Sequence, residues 1–305
     1  MPIPRFNDVS TWPEGELKSL AGQLQELDLL RHIGELELYG FTVVDASLTG
    51  AQAIAQRAFE ASIDIVERRT GIRPDTEKGS THTKSAAPVA WHFAHEDDAF
   101  PELMINPVAT TLLNYLIGYR CMLSESALFM KGPGGSHDAQ LSVAGDKLQL
   151  GLHSDYILRP EPFPAIPEEC NLTWLLTDYT VDNGAIVFVP GSHHQRRRPT
   201  PADQAEDQIV AVEAPQGSLI LINDATWHGS LPSKVPGLRV GLALRFCRPH
   251  VFRRERFDDL PHGYLDGKSE RFIELMGGYE FHTQDHGPKD IEQFGRWPRP
   301  QTVYS

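Results

Sequence analysis

The chain has 305 residues, and 41 acidic against 28 basic side chains give it a net charge of −13. That balance argues against broad nucleic-acid binding, which needs a basic footprint, and against adsorption to anionic membranes. Cys121, Cys170 and Cys247 are too scattered for a disulfide framework or a CxxC zinc site. The N-terminus lacks a signal-peptide layout and no apolar run approaches the ~20 residues of a membrane span, so a cytoplasmic location is expected.

Residues 1 to about 118 read mostly as helix. Apolar residues at Leu20, Leu24, Leu27, Leu30 and Ile33 recur at helical spacing and predict one helix from Glu16 to Leu36, with Gly40 as its stop. Phe41-Thr42-Val43-Val44 reads as a short strand. Thr49 precedes a second helix to about Arg69, the stretch 79–88 reads as a polar loop, and a third helix is predicted from Pro101 to Ile117, with proline in its first turn.

From about Arg120 to Arg248 the period changes from helical to alternating. Strands are predicted near 121–131, 147–154, 171–179, 185–189, 209–213, 217–223, 225–229 and 238–247. Turn chemistry separates them: Gly132-Pro133-Gly134-Gly135, Asp182-Asn183-Gly184, Pro215-Gln216-Gly217 and Pro236-Gly237. The expected fold is therefore mainly β with flanking helices, a sandwich or jelly roll whose mouth is left for ligands. Residues 249–305 are mixed, with a short helix near Lys268 to Met276, and His282 and His286 there read as surface histidines. Arg196-Arg197-Arg198 reads as a solvated loop. The whole is expected to form a single domain: a helical part to residue 118, a β core over 119–250 and a C-terminal extension over 251–305.

Within the β region, His153-Ser154-Asp155 places an imidazole and a carboxylate two residues apart, on the same face of a strand. These are two-thirds of a 2-His-1-carboxylate face for iron(II). The pair means little alone, since 13 histidines and 41 acidic residues supply about two such pairs by chance, and the other, at His95-Glu96-Asp97, lies in a charged run. His228, after the apolar run Leu219-Ile220-Leu221-Ile222 and before Gly229-Ser230, is the best second histidine. Arg239 opens the next strand after a turn at 232–237, so the two are expected on neighbouring antiparallel strands. An arginine pointing into a core needs a partner, and a metal-held dicarboxylate would supply one by a two-pronged hydrogen bond; Arg245 on the same strand face is the competitor. His193 reads as a scaffold residue orienting its loop, and Asn183-Gly184 as a hairpin turn.

Here the chain resembles a known family, the phytanoyl-CoA dioxygenase-like group of iron(II)/2-oxoglutarate oxygenases. The resemblance rests on His153-Ser154-Asp155, on the run from Asn183 through Gly184-Ala185-Ile186-Val187-Phe188-Val189-Pro190-Gly191-Ser192 to His193, and on His228-Gly229-Ser230 with Arg239. Tyr39-Gly40-Phe41-Thr42-Val43-Val44 is similar to the family's opening strand. The likeness covers roughly 120–248 and is thin before that.

It implies a double-stranded β-helix, cupin-like core in which His153, Asp155 and His228 bind iron(II) and Arg239 binds the distal carboxylate of 2-oxoglutarate. Thr173 is a cosubstrate-contact candidate, with Lys84 and Lys131 as further anchors to consider. The implied reaction consumes O2 and 2-oxoglutarate, yields succinate and CO2, and hydroxylates a C–H bond of a small molecule; desaturation, epoxidation or rearrangement are alternatives. Related halogenases lack the carboxylate ligand, so Asp155 favours oxygenation. Tyr156, Arg159 and Trp91 are candidates to line the substrate pocket. Homo-oligomerisation is left open. The rival reading, a cupin-like metal-dependent hydrolase or isomerase that does not use 2-oxoglutarate, would leave Arg239 unexplained.

Overall fold

The computed structural model describes residues 3, 5, 7–80, 90–133, 151–203, 208–255, 257 and 260–277. Where one N-terminal helix was expected there are two, α1 (Glu16–Glu26) and α2 (Leu30–Tyr39). The break falls at Asp28, at φ 54°, a left-handed conformation that aspartate tolerates and that turns Leu29 fully into the core. Gly40, at φ 83°, caps α2 and leads straight into β1 (Phe41–Val44). Asp45 caps a single turn, α3 (Ala46–Thr49), and α4 (Gln52–Thr70) follows.

After the two-residue β2 (Ala90–Trp91), the expected third helix is also divided, into α5 (Ala99–Met104) and α6 (Pro107–Ile117). The Asn106 side chain accepts the Val108 N–H at 3.0 Å and Pro107 occupies the first helical turn. The second start is thus built by an Asn-Pro pair whose capping chemistry outweighs the continuous apolar pattern.

The strands then follow in the order predicted: β3 (Met122–Lys131), β4 (Glu169–Leu175), β5 (Ile186–Phe188), β6 (Val210–Ala211), β7 (Leu219–Asn223), β8 (His228–Ser230) and β9 (Arg239–Cys247), and a last short helix, α7 (Glu270–Leu275). Of the predicted strand at 147–154, residues 147–150 lie outside the described residues, and the remainder pairs only by a bridge between His153 and His228. The predicted loop at 79–88, Lys84, His282 and His286 also lie wholly or mostly outside them.

Two antiparallel sheets result, a six-stranded one in the order β1-β7-β4-β9-β3-β2 and a three-stranded one in the order β6-β5-β8. This is the jelly-roll core with flanking helices. The strand period decides what each face meets. On β9, Val240, Leu242, Leu244 and Phe246 join the main hydrophobic core beneath the helices, while Arg239, Gly241, Ala243 and Arg245 face a cavity between the sheets.

Two expectations about turns are corrected. Asn183-Gly184 does not close a hairpin: β4 pairs with β7 and β9, whereas β5 pairs with β6 and β8, so the turn carries the chain between sheets. For the same reason His228 and Arg239 are not on neighbouring strands; β8 and β9 belong to different sheets.

Candidate metal centre and its cavity

The cavity between the sheets holds about 500 Å³ and is lined by residues of β3, β4, β8 and β9 and the segment after Gly151. At its wall His153, Asp155 and His228 offer one donor atom each, all within 4.8 Å of one another. The bridge that joins His153 to His228 explains how: the His153 N–H donates to the His228 carbonyl and the His228 N–H to the His153 carbonyl, both at 2.9 Å. Asp155 is fixed next, its N–H donating to the Asp224 carbonyl at 2.9 Å. Its Oδ1 then stands 3.6 Å from His153 Nε2 and 3.8 Å from His228 Nε2.

Each imidazole is oriented by its other nitrogen. His153 Nδ1 lies 2.9 Å from the Gly151 carbonyl and His228 Nδ1 lies 3.1 Å from the Thr226 carbonyl. A carbonyl only accepts, so both Nδ1 atoms carry a hydrogen, and both Nε2 atoms face Asp155 Oδ1. The carboxylate is arranged in the same manner. Its Oδ2 accepts from Arg245 at 2.8 Å and from the Asn171 side chain at 3.1 Å, leaving Oδ1 turned toward the two imidazoles.

Charge within this group is shared unevenly. Burial would raise the Asp155 pKa, but Arg245 and the two imidazoles hold it well below the usual carboxylate range. Arg245 must also serve Asp224, 2.6 Å away and fully buried, and burial beside the Asp155 charge pushes the Asp224 carboxyl up. Burial, then the neighbouring His153, lowers His228 to about 4. His153 goes the other way: burial would lower it, but the hydrogen bond and charge of Asp155 hold it above the ordinary imidazole value, so a metal ion would displace its proton. Two imidazole nitrogens and an anionic oxygen are the donor set suited to iron(II) with positions left for other ligands.

Arg239, 5% exposed, lies on the same face of β9. Its guanidinium stacks over the Tyr179 ring at 4.5 Å, its Nε has no hydrogen-bond partner, and no acidic side chain among the described residues pairs with it. Arg245, the competitor, is committed to Asp155 and Asp224. Gly241 between them is needed, because a Cβ there would come 2.1 Å from the Tyr179 hydroxyl.

Of the other expected site residues, Thr173 and Trp91 line the cavity. The Thr173 hydroxyl donates to Asn171 Oδ1 at 3.0 Å, so it also supports the group that holds Asp155. Tyr156 and Arg159 do not line the cavity. The Tyr156 ring is fully buried against Phe163, and its hydroxyl accepts the Glu168 N–H at 3.0 Å. Arg159 turns to Glu168 at 2.7 Å and Glu169 at 3.4 Å. Asp155 and Ile157 face the cavity while Tyr156 between them points into the core, and Arg159 is drawn off by its two glutamates. Lys131 donates to the Ser230 hydroxyl at 3.1 Å and to the Leu231 carbonyl.

Arg196-Arg197-Arg198 is not a solvated loop. Arg198 donates to the Tyr156, Ile157 and Arg159 carbonyls, and Arg197 pairs with Asp203 and covers Trp227, so the run fastens the segment that follows the ligands. Asn171, Tyr179, Glu125 and Arg254 also line the cavity without a sequence motif to announce them; the mid-strand Gly241 was the available sign of a close approach.

The model of the phytanoyl-CoA dioxygenase (PhyH) family matches residues 36–241, more than half of the chain. The chain belongs to that family. It is 30% identical over 135 residues to a protein named dioxygenase af480 of Aspergillus fumigatus, a match that spans 44% of this chain and 40% of that one. The chain thus aligns with less than half of that relative's length. It is 24% identical over 225 residues to dioxygenase cdmA of Talaromyces verruculosus, covering 72% of this chain and 70% of the relative.

Among solved structures it is similar to EctD of S. alaskensis, described with 2-oxoglutarate and 5-hydroxyectoine, at 20% identity and a TM-score of 0.53 over 72% of this chain and 76% of that one. It is also similar to SnoK, a non-heme α-ketoglutarate-dependent carbocyclase, at 16% identity and a TM-score of 0.51 over 76% and 90%. Both share the fold. The family's cofactors, iron(II), 2-oxoglutarate and O2, suit the residues present: three donors on one wall and, in the same cavity, a buried guanidinium with no acidic partner among the described residues.

Proposed function

We propose that this PhyH-family chain is an iron(II)/2-oxoglutarate-dependent dioxygenase that hydroxylates an unactivated C–H bond of a small organic molecule. The observation that carries the reading is Arg239, a buried cation with no acidic partner among the described residues, in the cavity that holds the donor triad. A buried charge is costly unless paired, and a dicarboxylate reaching from the metal site would pair it.

His153, Asp155 and His228 would hold the metal, and Arg239 would bind the distal carboxylate of 2-oxoglutarate with Tyr179 beneath it. Thr173 lies close by on β4, two residues along from Asn171, and is placed to contact the cosubstrate. Iron(II) with 2-oxoglutarate supplies O2 activation; the overall balance is R–H + 2-oxoglutarate + O2 giving R–OH + succinate + CO2. The chain's own contribution is orientation and exclusion of water. Arg245 and Asn171 keep Asp155 ionised and turned; the Gly151 and Thr226 carbonyls keep the imidazoles in one tautomer. Apolar side chains at Ala127, Phe129, Ile186 and Ile222 line part of the cavity and limit the water it would hold around a bound substrate.

The test is anaerobic addition of iron(II) and 2-oxoglutarate to the purified protein. A visible charge-transfer band of the chelate is expected, and its absence overturns the reading. Arg239→Ala should raise the 2-oxoglutarate concentration needed for half of that band by roughly 10- to 100-fold, the worth of a lost charge-assisted hydrogen bond. An unchanged requirement would remove Arg239 from the cosubstrate site.

A further inference from the structure

The cavity has a second end. Arg239 and Arg245 are six residues apart on β9, which in an extended strand separates them by about 20 Å. Asp155 is held at the Arg245 end, and the small Gly241 and Ala243 leave the floor open between. If the distal carboxylate of 2-oxoglutarate lies on Arg239, the space beyond the metal, near Arg245, is left for the substrate.

That space contains a carboxylate with no hydrogen bond among the described residues. Glu125 lies on β3 opposite Arg245, beside Ala127 and Phe129 on the cavity face. A β-bulge between Leu123 and Glu125 shifts the register there, so that Leu123 joins the core beneath the helices and Glu125 is the last cavity-facing position of the strand. The Glu125 side chain is 16% exposed. Its nearest cations are Arg245 at 3.7 Å and Arg254 at 3.8 Å, both beyond hydrogen-bond reach, and it makes no hydrogen bond among the described residues.

Neither arginine is free to close that gap. Arg245 is committed to Asp155 and Asp224, while Arg254 Nη2 donates to the Asp155 carbonyl at 2.8 Å and its backbone N–H to the Ser124 hydroxyl at 3.0 Å. Burial raises the Glu125 pKa, with the two arginines pulling the other way, as expected of an ion that has charge partners but no bonded ones. Glu125 and Arg254 Nη1 therefore present an acceptor and a donor side by side, and Trp91 and Ile157 line the same cavity.

We propose that Glu125 and Arg254 form the specificity site for the substrate, a neutral and mostly apolar molecule bearing a hydroxyl or amide N–H. Glu125 accepts that hydrogen and Arg254 donates to the adjoining oxygen. A carboxylate is disfavoured by Glu125 with Asp155 behind it. This rests on the proposed dioxygenase reading for which end of the cavity the substrate takes, but not for whether the pair binds such a group.

The experiment compares donor-bearing probes with analogues lacking the donor. Cyclohexanol is set against its methyl ether, and cyclohexanecarboxamide against its N,N-dimethyl amide, by calorimetric titration of the wild-type protein, E125Q and E125L. Wild type should favour the donor-bearing member of each pair by about tenfold. E125L should lose the preference, and E125Q, which keeps one acceptor oxygen, should retain part of it. Equal preference in all three proteins, or no binding of either donor probe at millimolar concentration, would overturn the proposal. The anaerobic chelate band is recorded on the same samples. A normal band with no Glu125-dependent preference rejects this inference alone; a lost preference in E125L without any band rejects the dioxygenase reading alone.

Discussion

At the scale of single residues, the centre depends on groups that touch no metal. Asn171 and Arg245 share Asp155 Oδ2, and their contributions separate by burial and charge. Asn171→Ala removes one neutral donor and leaves Arg245 in place, so the fold should persist while the carboxylate loses its fixed aim. Iron(II) or cobalt(II) titration should show an affinity lower by about tenfold, the usual consequence of removing a group that orients a ligand; unchanged affinity would mean Arg245 suffices. Replacing Arg245 is another matter. It would leave two buried carboxylates, Asp155 and Asp224, without their cation, and unfolding rather than weak metal binding would dominate. Arg239, Arg245, His153 and Asp155 could all be singled out in the sequence by residue type and spacing. Which arginine was committed and which was spare could not, because that depends on Asp224 and Asp155 arriving beside Arg245 from loops distant in the chain.

At the scale of elements, the junction of α2 and β1 shows how a helix end sets the site. Gly40 at φ 83° leaves no room for a side chain: a Cβ would stand 2.3 Å from Thr226 Oγ1 and 2.5 Å from His193 Nδ1. The Gly40 carbonyl in turn accepts from the Thr226 hydroxyl at 2.8 Å and from the Asn223 N–H at 2.9 Å, two residues that lead into His228. Gly40→Ala should therefore destabilise the protein by about 2 kcal/mol or more, through both the left-handed backbone and the clash. A thermal melt compared with Gly34→Ala, whose Cβ would meet nothing within 4 Å, checks this, and equal melting of the two variants would refute it. The Gly40 stop was readable beforehand. The division of the first and third predicted helices was less so, because Asp28 and Asn106 act through a left-handed turn and a cap that apolar periodicity does not register.

At the scale of the whole molecule, stability should depend on pH through buried neutral histidines. Burial, and then the neighbouring His194, lower His193 to about 4, and His228 is lowered to about 4 as well. Both fall below the ordinary imidazole value near 6.5 of the unfolded chain. The unfolded state therefore takes up protons first on acidification, and stability present above about pH 6.5 is lost progressively as pH falls toward 4. Melting temperatures of the metal-free protein should fall over that window, and His193→Gln should flatten part of the fall; a variant with the wild-type slope would exclude His193 as a contributor. No helix among the described residues is long and apolar enough to cross a membrane.

What the sequence determined by itself was local: the change from helical to alternating period near residue 120, most strand positions, and the donor types at His153, Asp155 and His228. These follow from side-chain period and chemistry over a few neighbouring residues. The tertiary structure decided which strands face one another. It put β8 and β9 in opposite sheets, so that His228 and Arg239 share a cavity instead of a strand pair, and it turned Tyr156 and Arg159 away from that cavity while turning Glu125 in. Those outcomes depend on sheet pairing, on a bulge in β3 and on Arg198 fastening the segment after Asp155, contacts between residues far apart in the chain that no local pattern encodes.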